Sequence, residues 1–315
     1  PPLPASRAAV ADPAANGVVA AATEPPADVV LSAWDRVRLA RHPERPHALA
    51  YIRELTTDFV ELHGDRAFGD DRALIGGLAN FRGRTVMALG HQKGENTREN
   101  IERNFGMARP EGYRKAERLL RHAGKFGFPV ISFIDTPGAE PNIGSEERGQ
   151  ATAIAESLMM MANVRVPSIA VVIGEGGSGG ALAIGVADRI VMLENAIYAV
   201  ASPEACAAIL WKDAAKAPDA AETMRITARE LADLGIVDAI VPEPAPAHEQ
   251  PRQTMAATGD TIARLLDELL ATYSIADQAG VDRLREARYR KFRRIGAWRQ
   301  EEQRAHGLPD DAADF

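Results

Sequence analysis

At 315 residues the chain can form two domains of ordinary size or one large α/β domain with tails. Its apolar fraction of 46% and charged fraction of 26% exclude a fibre or a wholly disordered polypeptide and leave ample material for a buried core. A net charge of -7 excludes nucleic acid as the main partner, because phosphate binding needs clustered Lys and Arg.

Residues 1–27 are Ala/Pro-rich and carry too little bulky apolar surface to order themselves, so they read as a linker. A start in such a linker without Met is expected of the C-terminal piece of a longer polypeptide, and equally of a shortened one. Apolar spacing predicts a helix over Val29–Arg38, interrupted by Pro43 and Pro46, and a second over Ala48–Leu62. LIGGLANF and TVMALG, between Leu74 and Gly90, flank the polar turn Arg82-Gly83-Arg84 and predict a β-hairpin. A helix over Glu111–Phe126 precedes the wholly apolar strand Pro129–Ile134. The order then repeats: a loop from Asp135 to Gly144, a helix over Ser145–Asn163, a strand over Ser168–Ile173, a glycine loop, a short helix and the strand Arg189–Leu193. Such alternation predicts a parallel sheet covered by helices. The longest apolar run, Val166 to Ala187, holds Glu175 and six glycines and is no conventional membrane span. Cys206, the single cysteine, excludes an intrachain disulfide and a CxxC metal site, suits a reducing cytosol and reads as a small buried helix residue. Pro242 to Gly259 reads as a polar break, followed by a helix over Asp260–Tyr273 and a basic helix over Val281–Arg304, taken as a solvated helix or a subunit contact. The implied organisation is a linker (1–27), an N-terminal helical segment (28–73), a main α/β domain (74–245) and a C-terminal helical extension (246–315).

Two strand ends, FIDTPGAEPNIG and VVIGEGGSGGALAIG, invite several chemistries. Gly174, Gly176 and Gly179 satisfy GxGxxG, as in an NAD-binding oxidoreductase, yet only about nine residues separate Gly179 from the next strand. Asp135-Thr136-Pro137-Gly138 looks like the DxxG of a GTPase, but no GxxxxGK[ST] accompanies it. Ser178 matches GxSxG only loosely, which keeps a serine hydrolase as an alternative. A further reading makes both loops oxyanion-hole donors, since glycine brings backbone N–H groups close to a ligand and lets them converge. The bland alternative is that these glycines only permit tight strand–helix packing.

HQKGENTRENIERNFGMARPEGYRKA, FIDTPGAEPNIGSEERGQ, VIGEGGSGGALAIG and SPEACAAILWKDAAKAP resemble the α subunits of bacterial and plastid acetyl-CoA carboxylase carboxyltransferase, over about Trp34 to Leu269, three-quarters of the chain. The resemblance implies a crotonase-like (ClpP/crotonase) ββα superhelix with helical N- and C-terminal extensions. It implies transfer of the carboxyl group from carboxybiotin, held on the biotin carboxyl carrier protein, to acetyl-CoA, forming malonyl-CoA in the first committed step of fatty acid synthesis. The implied partners are a β subunit on the acetyl-CoA side, with a zinc ribbon of its own, biotin carboxylase and the carrier, in an α2β2-type hetero-oligomer. The cytoplasm, or the stroma of a plastid, is the implied compartment. By the same resemblance Gly179 and Gly180 donate to the biotin oxyanion, Gly176 and Gly177 shape the turn, and Gly138 and Ala139 supply or line the opposite side. Lys93 and Glu140 stand near enough in sequence to contact substrate, although a surface or interface role is the plainer expectation for His91 and Lys93. Asp135 is expected to organise its loop as a hydrogen-bond acceptor, and Ser145 to cap the helix that begins there. No metal is expected in this chain. Two features depart from the family pattern: the Ala/Pro segment replaces a helical N-terminal region, and Glu140 and Asn142 stand where Tyr and Gly are common.

Overall fold

In the computed structural model, which describes residues 31–296, the first helix spans Ala33–Ala40. Its start is set by a capping box: Ser32 Oγ accepts from the Asp35 N–H at 3.1 Å, and the Asp35 carboxylate takes the Ser32 N–H at 3.2 Å. The second helix stops at Leu55 rather than Leu62. Thr57–Glu61 instead forms β1, an edge strand antiparallel to β2 (Leu74–Phe81). Glycine at 77 permits this pairing, since a Cβ there would sit 2.0 Å from the Val60 carbonyl oxygen. β2 and β3 (Arg84–His91) form the expected hairpin. Arg82 and Gly83, at φ 50° and 82°, make the doubly left-handed turn that suits twisted strands.

β4 (Val130–Thr136), β5 (Ser168–Gly177), β6 (Arg189–Leu193) and β8 (Ala239–Val241) continue from β3 in parallel, in the order β1-β2-β3-β4-β5-β6-β8, and β7 (Ile197–Ala199) pairs with the end of β5. Every residue of β4 is buried, as a strand covered on both faces requires. Helices Pro110–Phe126 and Gln150–Asn163 pack against each other outside the sheet.

The region between β6 and β8, where the sequence reading placed only Cys206 in a helix, holds β7 and the helices Pro203–Trp211, Ala217–Met224 and Ala228–Asp233, with Cys206 helical but only half-buried. The expected break over 242–259 is partly helix: Pro251 opens a helix running to Thr272, where its missing N–H costs nothing. The basic helix spans Gln278–Arg293 and buries Val281, Leu284 and Arg288, so one face is docked on its own chain rather than solvated. The linker expected over 1–27 and the part of the expected basic helix beyond residue 296 lie outside the described residues, within which that helix ends at Arg293.

Candidate active site

The two glycine loops leave neighbouring strand ends and touch. The β4–β5 register runs Ile134↔Val172 and then Thr136↔Gly176, so β5 carries extra residues at a bulge just before its glycines. A Cβ on Gly177 would lie 2.1 Å from the Pro137 carbonyl oxygen, and one on Gly180 would lie 2.7 Å from Ala139 N. Gly176 is as tight, 2.6 Å from the Tyr198 ring, whereas Gly179 meets only Ile154 at 3.6 Å. Gly138 has φ +153° with nothing within 4 Å of its Cβ direction.

β5 turns into the short helix Ser178–Leu182 through Ser178, an L residue held at φ 51°. The amides at the start of this helix have no intrahelical acceptor. The Ala139 N–H donates to nothing among the described residues. Gly138 N–H instead donates to Thr136 Oγ1 at 3.1 Å, which fixes the facing loop. Unpaired amides on two apposed loops are what oxyanion binding needs. No histidine is hydrogen-bonded to Ser178 among the described residues, so the serine has no base.

Lys93 and Glu140 are both committed to the chain itself. Lys93 Nζ lies 2.8 Å from Asp135 Oδ1 and 2.9 Å from Glu175 Oε2, with its side chain 14% exposed. Asp135 takes two further hydrogen bonds: His47 Nδ1 at 2.7 Å on its other oxygen and the Glu175 N–H at 3.2 Å. Burial by itself would raise the Asp135 pKa, but Lys93 and His47 outweigh it and hold the carboxyl well below the usual range. Burial likewise opposes charge on Lys93, and the two carboxylates more than restore it. Glu140 is buried beside Arg109, whose Nε is 3.2 Å away, and accepts from Asn104 at 3.0 Å and from the Ser145 hydroxyl. Ser145 is therefore not the cap: Asn142 is, accepting the Ser145 N–H at 2.8 Å, and left-handed Gly149 then divides the expected single helix in two. Glu140 also borders an open cleft of about 770 Å³, with Phe68, Arg109 and Arg148 on its walls.

His91 is not at a surface. It is fully buried against the Gly180 backbone, neither ring nitrogen makes a well-formed hydrogen bond, and burial first of all pulls its pKa down to about 4. Asp135 and the Gly180 backbone act the other way, and Lys93 adds to the lowering. The unfolded chain then binds the proton near pH 6.5 while the folded chain does not until about pH 4, so stability is complete above 6.5 and is lost as pH falls through that window. Denaturant unfolding is expected to show about 2 kcal/mol less stability at pH 5 than at pH 7, a difference that His91→Gln removes. An unchanged slope in that variant would contradict the assignment. The Tyr113 hydroxyl, equally buried and unpartnered, lies against the same glycine: a Cβ on Gly180 would come within 3.0 Å of it.

A mixed sheet whose parallel strands end in two touching glycine loops makes this a crotonase-like α/β protein. Solved chains of transcarboxylase 12S, crystallised with methylmalonyl-coenzyme A and methylmalonic acid, and of the P. aeruginosa geranyl-CoA carboxylase β subunit match it with TM-scores of 0.56 and 0.55, at 20% and 16% identity, over 74% and 77% of this chain. The match takes in 46% of each of those chains, so this chain spans about half their length. The chain belongs to the acetyl co-enzyme A carboxylase carboxyltransferase-like family, whose profile matches residues 26–296. It is 55% identical to the acetyl-coenzyme A carboxylase carboxyl transferase subunit alpha of Aquifex aeolicus, over 85% of this chain and 81% of that protein. It is 52% identical to the Thermus thermophilus protein of the same name, over 85% and 84%.

Proposed function

We propose that this chain is the α subunit of an acetyl-CoA carboxylase carboxyltransferase and that its part in the reaction is to hold the biotin ureido oxygen on backbone amides. The observation that carries this is the pair of apposed loops at Gly138–Ala139 and Gly179–Gly180, which offer the Ala139 N–H, unpaired among the described residues, on one side and the first amides of a helix on the other. The fit is chemical as well as spatial: a flat, neutral ureido ring needs donors to its oxygen and no permanent countercharge, and the open space at Gly138 admits it. Carboxybiotin, when bound, would supply the carboxyl group that is transferred, and its ureido oxygen would gather the charge left behind. The amides of Gly179 and Gly180 stabilise the oxygen where that charge collects, and Gly138 and Ala139 close the opposite wall. The Cβ-free turn at Gly176 and Gly177 lets the two loops meet. The proton leaving the acetyl-CoA methyl needs no base from this chain, and the carboxylates beside the loops are already paired, Asp135 and Glu175 with Lys93 and Glu140 with Arg109.

Acetyl-CoA and its enolate belong to a β subunit facing these loops. Val200, which follows the residue paired with Gly177, is 82% exposed, and Ile209 and Leu210 nearby are 68% and 62% exposed, an apolar face suited to such a partner. Biotin carboxyl carrier protein, biotin carboxylase and an α2β2 core complete the proposed assembly, working in the cytoplasm or a plastid stroma. No described helix is long and apolar enough to cross a membrane. Zinc, if the complex holds any, belongs to the β subunit. The described residues contain no cluster of three His, Cys, Asp or Glu able to hold a metal, and metal analysis of the purified chain is expected to find no stoichiometric zinc.

The function is tested by assembling the chain with β subunit, biotin carboxylase and carrier protein, and following malonyl-CoA formation. Turnover is expected with biotinylated carrier and none with carrier that lacks biotin. Equal rates with the two carriers would defeat the proposal.

A further inference from the structure

The two glycine loops do not hold their own spacing. At the bulge before Gly176 the β4–β5 ladder is interrupted, and side chains take over its backbone groups. Asp135 Oδ1 accepts the Glu175 N–H at 3.2 Å, and Arg45 Nε donates to the Ile173 carbonyl at 2.6 Å. Gly174 lies so close to the Asp135 carboxylate that a Cβ would be 2.5 Å from Oδ1. Asp135 stands one residue before the end of β4, and Glu175 immediately before the glycines of β5. These are the roots of the two loops.

One cation ties those roots together. Lys93, two residues past the end of β3, reaches both carboxylates at 2.8 and 2.9 Å. Its stem is wedged beneath Gly106, where a Cβ would lie 3.0 Å from Lys93 Cγ. The carboxylates are held from outside as well: His47 bonds Asp135, and Arg41 Nε bonds Glu175 at 2.6 Å while its Nη1 bonds Glu204 at 2.5 Å. The amine is thus a bridge between neighbouring strand ends, with both carboxylate partners anchored.

We propose that Lys93 is a positioning residue for carboxyl transfer: by bridging Asp135 and Glu175 it fixes the spacing of the Gly138–Ala139 and Gly176–Gly180 loops, and it does not touch substrate. This rests on the oxyanion reading of those loops. Without the bridge the two carboxylates repel across the bulge, and the loop roots move apart. A displacement of about 1 Å at an oxyanion site costs on the order of 100-fold in rate.

The test uses the assembled carboxyltransferase with β subunit and biotinylated carrier. Lys93→Met is expected to lower kcat about 10- to 100-fold, to leave the KM for acetyl-CoA and for carrier within about 2-fold, and to preserve assembly on size exclusion. The double variant Lys93→Met/Glu175→Gln removes one of the two carboxylate charges that Lys93 no longer balances, so it should regain melting temperature without regaining kcat. A raised KM at unchanged kcat would show that the amine contacts substrate, and recovery of kcat along with melting temperature would show a role in folding alone. Either result, or an unaltered kcat in Lys93→Met, overturns the bridge. Gly180→Val run in parallel separates the two ideas. If it is inactive while Lys93→Met is fully active, only the bridge falls, and if both are fully active the oxyanion reading falls with it.

Discussion

Gly180→Val is expected to cut carboxyl transfer by at least about 100-fold in the assembled enzyme, the loss typical of a missing oxyanion donor. The substituted residue keeps its amide, so the effect comes through space. A Cβ at 180 would stand 2.7 Å from both Ala139 N and Gly138 C, and backbone cannot give way as a flexible side chain can. The two loops must separate, carrying their donors off target. Ser178→Ala, two residues earlier, is expected to keep most activity, because Ser178 bonds no base among the described residues and its hydroxyl has no assigned chemistry. Steady-state rates of both variants, with assembly checked by size exclusion, decide the matter. A dead serine variant beside an active Gly180→Val would invert the account.

Arg288→Ala is expected to lose about 3 to 5 kcal/mol of stability, the cost of breaking a buried pair and leaving its charge behind. Arg288, 2% exposed, donates to Asp188 Oδ1 and Oδ2 at 2.9 and 2.7 Å. It also donates to the carbonyls of Met161, Ala162 and Val164 at 3.1, 3.2 and 2.8 Å, groups at the end of helix Gln150–Asn163, where intrahelical donors run out and Met161 alone of the three also takes the capping N–H of Val164. It therefore caps one helix from another and fastens the C-terminal helix to the sheet through Asp188, which itself accepts the Ser168 N–H at 2.8 Å. Arg290→Ala, on the exposed face with Glu286, should cost no more than about 0.5 kcal/mol. Urea unfolding of the two variants gives the comparison. Equal effects would mean that the helix is merely a basic surface.

What the sequence made legible follows the physics of each element. The hairpin at 74–91 and the buried strands β4, β5 and β6 were readable because apolar runs bounded by turn residues have few other solutions. β7 and β8, three residues each, and the Ala-rich helix Pro203–Trp211 carry too little periodicity to announce themselves. Ser145 was misplaced as a cap because Asn142, three residues earlier, offers the same chemistry and takes the role. The glycine loops were visible as a pattern, but their mutual contact was not, since Gly177 and Pro137 meet only when β4 and β5 pair. The pairing of Lys93 was not legible: its partners Asp135 and Glu175 lie far along the chain, and the one local hint was an acid inside the long apolar run. Arg288 stood out only as one arginine among several, because nothing in a basic helix marks which cation is buried.

The central claim is that this chain holds half of a carboxyltransferase site, and the most direct measurement is biotin-dependent malonyl-CoA formation by the purified chain alone and after addition of a β subunit. The account predicts no turnover from the chain alone and full turnover only with its partner, since the proposal leaves acetyl-CoA and its enolate to the β subunit. Sustained carboxyl transfer by the isolated chain would contradict it.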